Sequence, residues 1–170
     1  MTADINTKSP WTLKMLAPLE PGIVCQDLDR MIDFYIRVIG LQLVSDAQTP
    51  PDLSERFGTT PHGYRIVRLQ TPYGERIKFV RPHHHAPEPE AHPKWIYDRH
   101  GLSYLTFVIP DIKDAIAHLR KHKVVLASEE AVEVRPGLLA IYFLDPEENY
   151  VEFVEYPDIA SYRPDLFQKS

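Results

Sequence analysis

Residues 25–40 read CQDLDRMIDFYIRVIG, and their pattern returns 84 residues later. Gly22, Ile23, Val24 and Cys25 form a short apolar run that ends near Asp27. Leu28, Met31, Ile32 and Tyr35 then fall at i, i+3, i+4 and i+7, the spacing that aligns side chains on one helical face. In the second copy, residues 105–109 lead into Pro110-Asp111, and Ile112, Ala115, Ile116 and Leu119 repeat that spacing. A repeat that keeps strand, aspartate and helix face in step predicts a duplicated unit.

Working outward, each unit continues with strands. In the first, residues 19–26 are the opening strand, Asp27 or Asp29 caps the helix, and Gly40 ends it. Strands follow at 41–44, 64–70 and 76–80, with a long proline-bearing loop expected over 46–63. In the second, the pattern predicts strands at 103–109, 124–127, 138–144 and 150–154, with the helix over 111–121. Pro72, Phe79 and Val80 reappear as Pro146, Phe153 and Val154, now 74 residues on, because the first unit has the longer middle loop. The expected organisation is an N-terminal arm (1–18), a βαβββ module (19–82), a Pro/His-rich linker (83–100), a second module (101–157) and a C-terminal tail (158–170). Proline restrains its own φ and its neighbour, which makes the linker a stiff, irregular connection.

The chain has 170 residues, 44% hydrophobic and 25% charged, a composition suited to one globular core. Its net charge of -5 argues against a nucleic-acid surface. No apolar run reaches the roughly 20 residues of a membrane span, and the first residues lack the apolar core of a secretory signal. The expected location is the cytoplasm. The single cysteine, Cys25, excludes an intrachain disulfide and reads as a small core residue.

The order of elements, with DLDRMIDFYIRVIGL in one half and FLDPEENYVEFVE in the other, resembles the vicinal oxygen chelate superfamily over residues 19–156. That group includes glyoxalase I, extradiol dioxygenases, methylmalonyl-CoA epimerase and the bleomycin and fosfomycin resistance proteins. The resemblance implies an α+β fold of two tandem βαβββ modules whose curled sheets form a cup, with a divalent metal at its floor. Its metal ligands are His or Gln, Glu, His and Glu, carried by the first and last strands of each module. Those positions in this chain are Glu20, Lys78, Tyr104 and Glu152, and only Glu152 matches the pattern.

Lys78 is the decisive departure. An ammonium has three donors and no lone pair, so it cannot ligate while protonated. The expectation is therefore a cup without a cofactor, in which Lys78 stands between Glu20 and Glu152 in place of the metal. A divalent metal on Glu20 and Glu152 is the competing expectation. Two readings stay open at this stage. In one, Lys78 stabilises an oxyanion while a glutamate or Tyr104 moves a proton. In the other, the groups satisfy one another in a cup that only binds. The first makes the protein a lyase or isomerase acting on a small oxygenated or acidic metabolite; the second makes it a metal-free binding or sequestering protein. A homodimer is the default assembly, with a small-molecule ligand and neither nucleic acid nor membrane as partner.

Arg76 shares the face of Lys78 by pleat parity and is a substrate-binding candidate, as are Tyr142 and Tyr150 as aromatic walls and His100 at the cup mouth. Arg65 and Arg68 lie in the strands of the same unit, and the simpler reading of these arginines, Arg76 included, is an exposed side chain paired with an acid. His83-His84-His85 cannot converge on one site from an extended chain, since neighbours face opposite ways. His62 is a weaker candidate of the same kind as His100, and His118 and His122 are expected to face solvent.

Overall fold

The computed structural model describes residues 13–84, 96–98 and 101–167. The first module runs β1 (Gly22–Val24), α1 (Leu28–Arg37), β2 (Gln42–Thr49), α2 (Pro51–Arg56), β3 (Tyr64–Gln70) and β4 (Arg76–Pro82). The second runs β5 (Tyr104–Val108), α3 (Ile112–Lys121), β6 (Val132–Arg135), β7 (Leu138–Leu144) and β8 (Tyr150–Glu155), followed by α4 (Ile159–Tyr162). The sheets have the orders β1-β4-β3-β2 and β5-β8-β7-β6, each with one parallel pair at the crossover from the first strand to the last. These are the two βαβββ modules of an α+β cup, as the repeat predicted.

Capping explains where the helices start. The Asp27 carboxylate accepts from Arg30 N and that of Asp111 from Asp114 N, so both repeated aspartates satisfy a free backbone donor. Gly40 follows α1 at φ 85°, a conformation that costs a side chain strain but glycine none. The apolar faces of α1 and α3 bury Leu28, Met31, Phe34 and Tyr35, and Ile112, Ile116 and Leu119. They merge with the convex faces of both sheets into one core that includes Val67, Phe79, Ile141 and Phe143. Each fully buried side chain of this size contributes about 1.5–3 kcal/mol.

Polar contacts also join the modules. The buried Tyr35 hydroxyl donates to Asp145 Oδ2 at 3.1 Å. Glu147 accepts from Gln26 N at 2.8 Å and Asp27 N at 2.6 Å, at the mouth of α1. His118 is exposed, as expected, yet its Nε2 lies 2.9 Å from the Val38 carbonyl of the first module. Cys25 is buried, and desolvation together with Glu147 and Asp145 pushes its thiol up to about 12, which suits a core residue and not a nucleophile.

Two stretches differ from expectation. Residues 46–63 are not one loop, because β2 extends to Thr49 and α2 follows it. Pro51 opens that helix in its first turn, where a missing N–H removes no hydrogen bond. Residues 124–127 make only an isolated bridge, Leu126 to Phe143, and the edge strand is Val132–Arg135. Leu119 O holds Val124 N at the helix end, and the bend at Ser128–Glu130 delays the strand until the chain has turned.

Candidate active site on the concave faces

Alternation along the strands separates the two faces of each sheet. In β4, Ile77 and Phe79 are buried against the helices, which turns Arg76, Lys78 and Val80 to the concave side. The same parity puts Arg68 and Gln70 of β3 beside them, since Arg68 pairs with Lys78 and Gln70 with Arg76. Glu20 stands just before β1, next to Pro21, whose carbonyl accepts from Lys78 N at 2.9 Å. Its carboxylate lies 3.9 Å from Lys78 Nζ and 4.0 Å from Arg76 Nη1, with these side chains 29–40% exposed. At these distances the contacts are ion pairs and not hydrogen bonds. Among the described residues no group accepts a hydrogen bond from the Lys78 ammonium. Arg76 is steered by Gln70, whose Oε1 accepts from Nε at 2.8 Å.

The second module places different chemistry on the same scaffold. Glu152 pairs with Thr106 and with Tyr142 in register, and Thr106 Oγ1 donates to Glu152 Oε2 at 2.6 Å. Tyr104 packs edge-on against Tyr142, with ring centroids 5.3 Å apart, and Tyr97 closes the group with its hydroxyl 3.4 Å from that of Tyr142. Burial, then Tyr97 and Glu152, raise the Tyr142 phenol far above its ordinary value. The neighbouring Tyr97 hydroxyl is the chief cause of the upward shift at Tyr104. Both phenols are thus held as hydrogen-bond donors at neutral pH. Tyr150 pairs with Tyr104 and extends this wall. Lower on the same face, Leu138, Ala140 and Val154 form a small apolar cluster with Tyr156, which stacks on Tyr162 at 3.8 Å.

The sequence candidates accordingly divide into two groups. Glu20, Lys78 and Arg76 come together on one concave face, and Tyr104, Tyr142, Tyr150 and Glu152 on the other. Among the described residues the ion pairs of Lys78 include Glu20 and not Glu152. His100 and His85 lie outside the described residues. His83 Nε2 sits 2.9 Å from Gln48 Oε1, and His62 and His84 place their rings 4.4 Å apart, away from the Lys78 strand face. Arg65 behaves as expected, matched by Asp29 at 2.8 Å and Asp46 at 2.7 Å on the convex side, where it lowers the Asp46 carboxyl. Arg68 does not: its side-chain contact is Ser45 Oγ at 3.4 Å. Sequence reasoning missed Arg68, Tyr97 and Thr106. The hairpin register around the turn at 71–75 is the signal that sets Arg68 opposite Lys78.

Residues 16–153 match the Glyoxalase/Bleomycin resistance protein/Dioxygenase superfamily. The chain belongs to that superfamily. It is 31% identical over 141 residues to the glyoxalase domain-containing protein RDO1 of Mycosarcoma maydis, covering 80% of this chain and 66% of that relative's length. Among solved structures, a glyoxalase family protein from Bacillus cereus is 25% identical with a TM-score of 0.70, covering 84% of this chain and 95% of that one. Trypanothione-dependent glyoxalase I of Leishmania major is 19% identical with a TM-score of 0.61, covering 88% and 93%, and shows the fold alone.

Superfamily membership implies a divalent metal held by the first and last strands of each module, and the residues present do not fit one. Two carboxylates, an ammonium and a phenol occupy the ligand positions, and among the described residues no three His, Cys, Asp or Glu side chains converge. Lys78 would set a like charge beside the ion, and borderline metals favour imidazole ligands.

Proposed function

We propose that the protein is a lyase or isomerase that moves a proton on a small oxygenated or acidic metabolite, using Lys78 where relatives of this fold use a metal. The observation that carries this reading is the Lys78 ammonium, poised 3.9 Å from Glu20 without a hydrogen bond to it, on the concave face of β4. A substrate oxygen that meets Nζ gains a charge-assisted hydrogen bond, and that bond strengthens as negative charge develops on the oxygen. Glu20 stands beside the lysine as its ion-pair partner, and Arg76 supplies a second donor to the same oxygen or to a neighbouring carboxylate. Across the cup, Glu152 accepts a proton from carbon, and the Tyr104 phenol returns one. Thr106 holds Glu152 in place through one of its oxygens. Tyr142 and Tyr150 bracket the body of the substrate.

Solvent exchange tests this across a range of candidate substrates. A panel of 2-oxo acids, 2-hydroxy acids and hydroxyketones is incubated with protein in D2O and followed by proton NMR. Deuterium is expected to enter the carbon next to the carbonyl of at least one compound with wild type, and not with Lys78→Ala. Binding of panel members with no exchange would favour the metal-free sequestering protein instead. Stoichiometric divalent metal in protein prepared without an affinity metal would remove Lys78 from its role as the metal's replacement.

A further inference from the structure

The concave face of the first module carries more positive charge than its own residues answer. Arg68 and Lys78 are directly paired across β3 and β4, and Arg76 lies two residues along the same face. Like charges opposite one another on one sheet face repel, by an amount comparable to what an opposite-charge pair gains. Glu20 is the carboxylate within 4.0 Å of Arg76 and Lys78, and among the described residues Arg68 has no carboxylate within that distance. Ser45 Oγ, 3.4 Å away, is too distant for a strong bond.

Arg30, Arg56, Arg81 and Arg135 are also without an acid among the described ion pairs, but several other arginines have one. Arg65, on the opposite face of the same strand, is held by two aspartates, and Arg37, Arg120 and Arg163 each have an acid within 3 Å. With 24 acidic residues against 19 lysines and arginines, carboxylates are in surplus. Three cations facing one acid are therefore a local arrangement and not a consequence of composition.

We propose that this face is the headgroup subsite of the cup and takes an oxyanion bearing two negative charges, as in a phosphate monoester or a dicarboxylate. Arg68 and Arg76 offer planar forks suited to paired oxygens, and Lys78 offers a point charge between them. Gln70, bonded to Arg76, keeps one fork turned toward the face. Glu152 repels the dianion from the second module, whose phenols and apolar cluster suit the uncharged body of the ligand. Charge thus orients the ligand across the cup. The inference rests on the reading that both concave faces serve one substrate site.

Calorimetric titration of the full chain with phenyl phosphate, phenylmalonate and benzoate tests the headgroup. At least one dianion is expected to bind tenfold or more tightly than benzoate, and the stronger of the two identifies the phosphate or the dicarboxylate source. Arg68→Gln is expected to remove that preference by weakening the dianion severalfold more than benzoate, whereas Arg65→Gln on the convex face leaves the preference intact. If Arg68→Gln does not fold, Arg68→Lys, which keeps the charge and loses the fork, is expected to weaken the preferred dianion severalfold. Equal affinity for all three probes, no binding of either dianion, or a preference that survives both Arg68 variants overturns the proposal. Absence of a dianion preference with proton exchange intact sinks the headgroup and spares the reaction; dianion binding without exchange does the reverse.

Discussion

The two modules share a backbone pattern and differ in what their concave faces carry. Gly22 pairs with Lys78 and Arg68 with Lys78, just as Thr106 pairs with Glu152 and Tyr142 with Glu152. On the convex side the equivalents stay apolar and buried: Val67 and Ile141, Leu69 and Phe143, Ile77 and Val151, Phe79 and Phe153. On the concave side Glu20, Arg68, Arg76 and Lys78 stand where the second module has Tyr104, Tyr142, Tyr150 and Glu152. Close packing tolerates little change of volume or polarity, so the core faces kept their character. The concave faces are under no such packing constraint, and they differ as a cationic half and a phenolic half.

Removing the base of the phenolic half should give the largest effect. Glu152→Gln is expected to lower the exchange rate across its pH profile by about 10²–10⁴-fold, measured by NMR on the reactive panel member. An unchanged profile would move the base elsewhere. Lys78→Glu copies the second module's floor residue into the first and should lower kcat by about 10²–10³-fold. If kcat holds while KM rises, Lys78 binds substrate without stabilising charge in the transition state.

The convex comparison predicts parity. Phe79→Ala and Phe153→Ala should each cost about 3–5 kcal/mol in urea unfolding, with Phe79 the larger because it is fully buried. A cost under about 1 kcal/mol at either position would mean that the two cores are not equivalent.

A smaller effect should come from the contact that breaks the symmetry. Tyr35→Phe is expected to cost about 1–3 kcal/mol, because Asp145 loses a donor inside the protein. Burial holds the Asp145 carboxyl above its ordinary value of 3.8, although Asn149, Glu147 N and Tyr35 donate to it and pull it down. A raised folded-state pKa means that Asp145 favours folding when protonated, and that this contribution is lost as pH rises from the ordinary value through the raised one. Wild type should therefore lose stability relative to Asp145→Asn across that window. A difference that stays constant with pH would show that the carboxyl is not perturbed by folding.

Much of the architecture was legible because duplication supplied an internal ruler. Two offsets, 84 and 74, located strands, helix faces and the floor positions, and the strand registers agree with both. What escaped had local physical causes. Pro51 reads as a helix breaker unless it stands in the first turn, where it does. Val132–Arg135 is a short, exposed edge strand whose period is too brief to outweigh the apolar 124–127. Tyr97 reaches Tyr142 from a connection that no periodicity describes. Arg68 was visible as a residue and hidden as a partner, because an arginine's meaning depends on which acids the fold brings to it.

The Tyr35–Asp145 bond gives the duplicated chain a direction. The repeat places Leu119 where Tyr35 stands and Thr71 where Asp145 stands, so the phenol meets a carboxylate only when the two modules are paired with each other. Two copies of the first module fused together would bury a Tyr35 hydroxyl against Thr71, and two copies of the second would bury an aspartate against leucine. The two halves of the repeat therefore carry complementary and not identical groups at this contact. The asymmetry that separates cations from phenols inside the cup is thus matched by one in the core that keeps the halves in order.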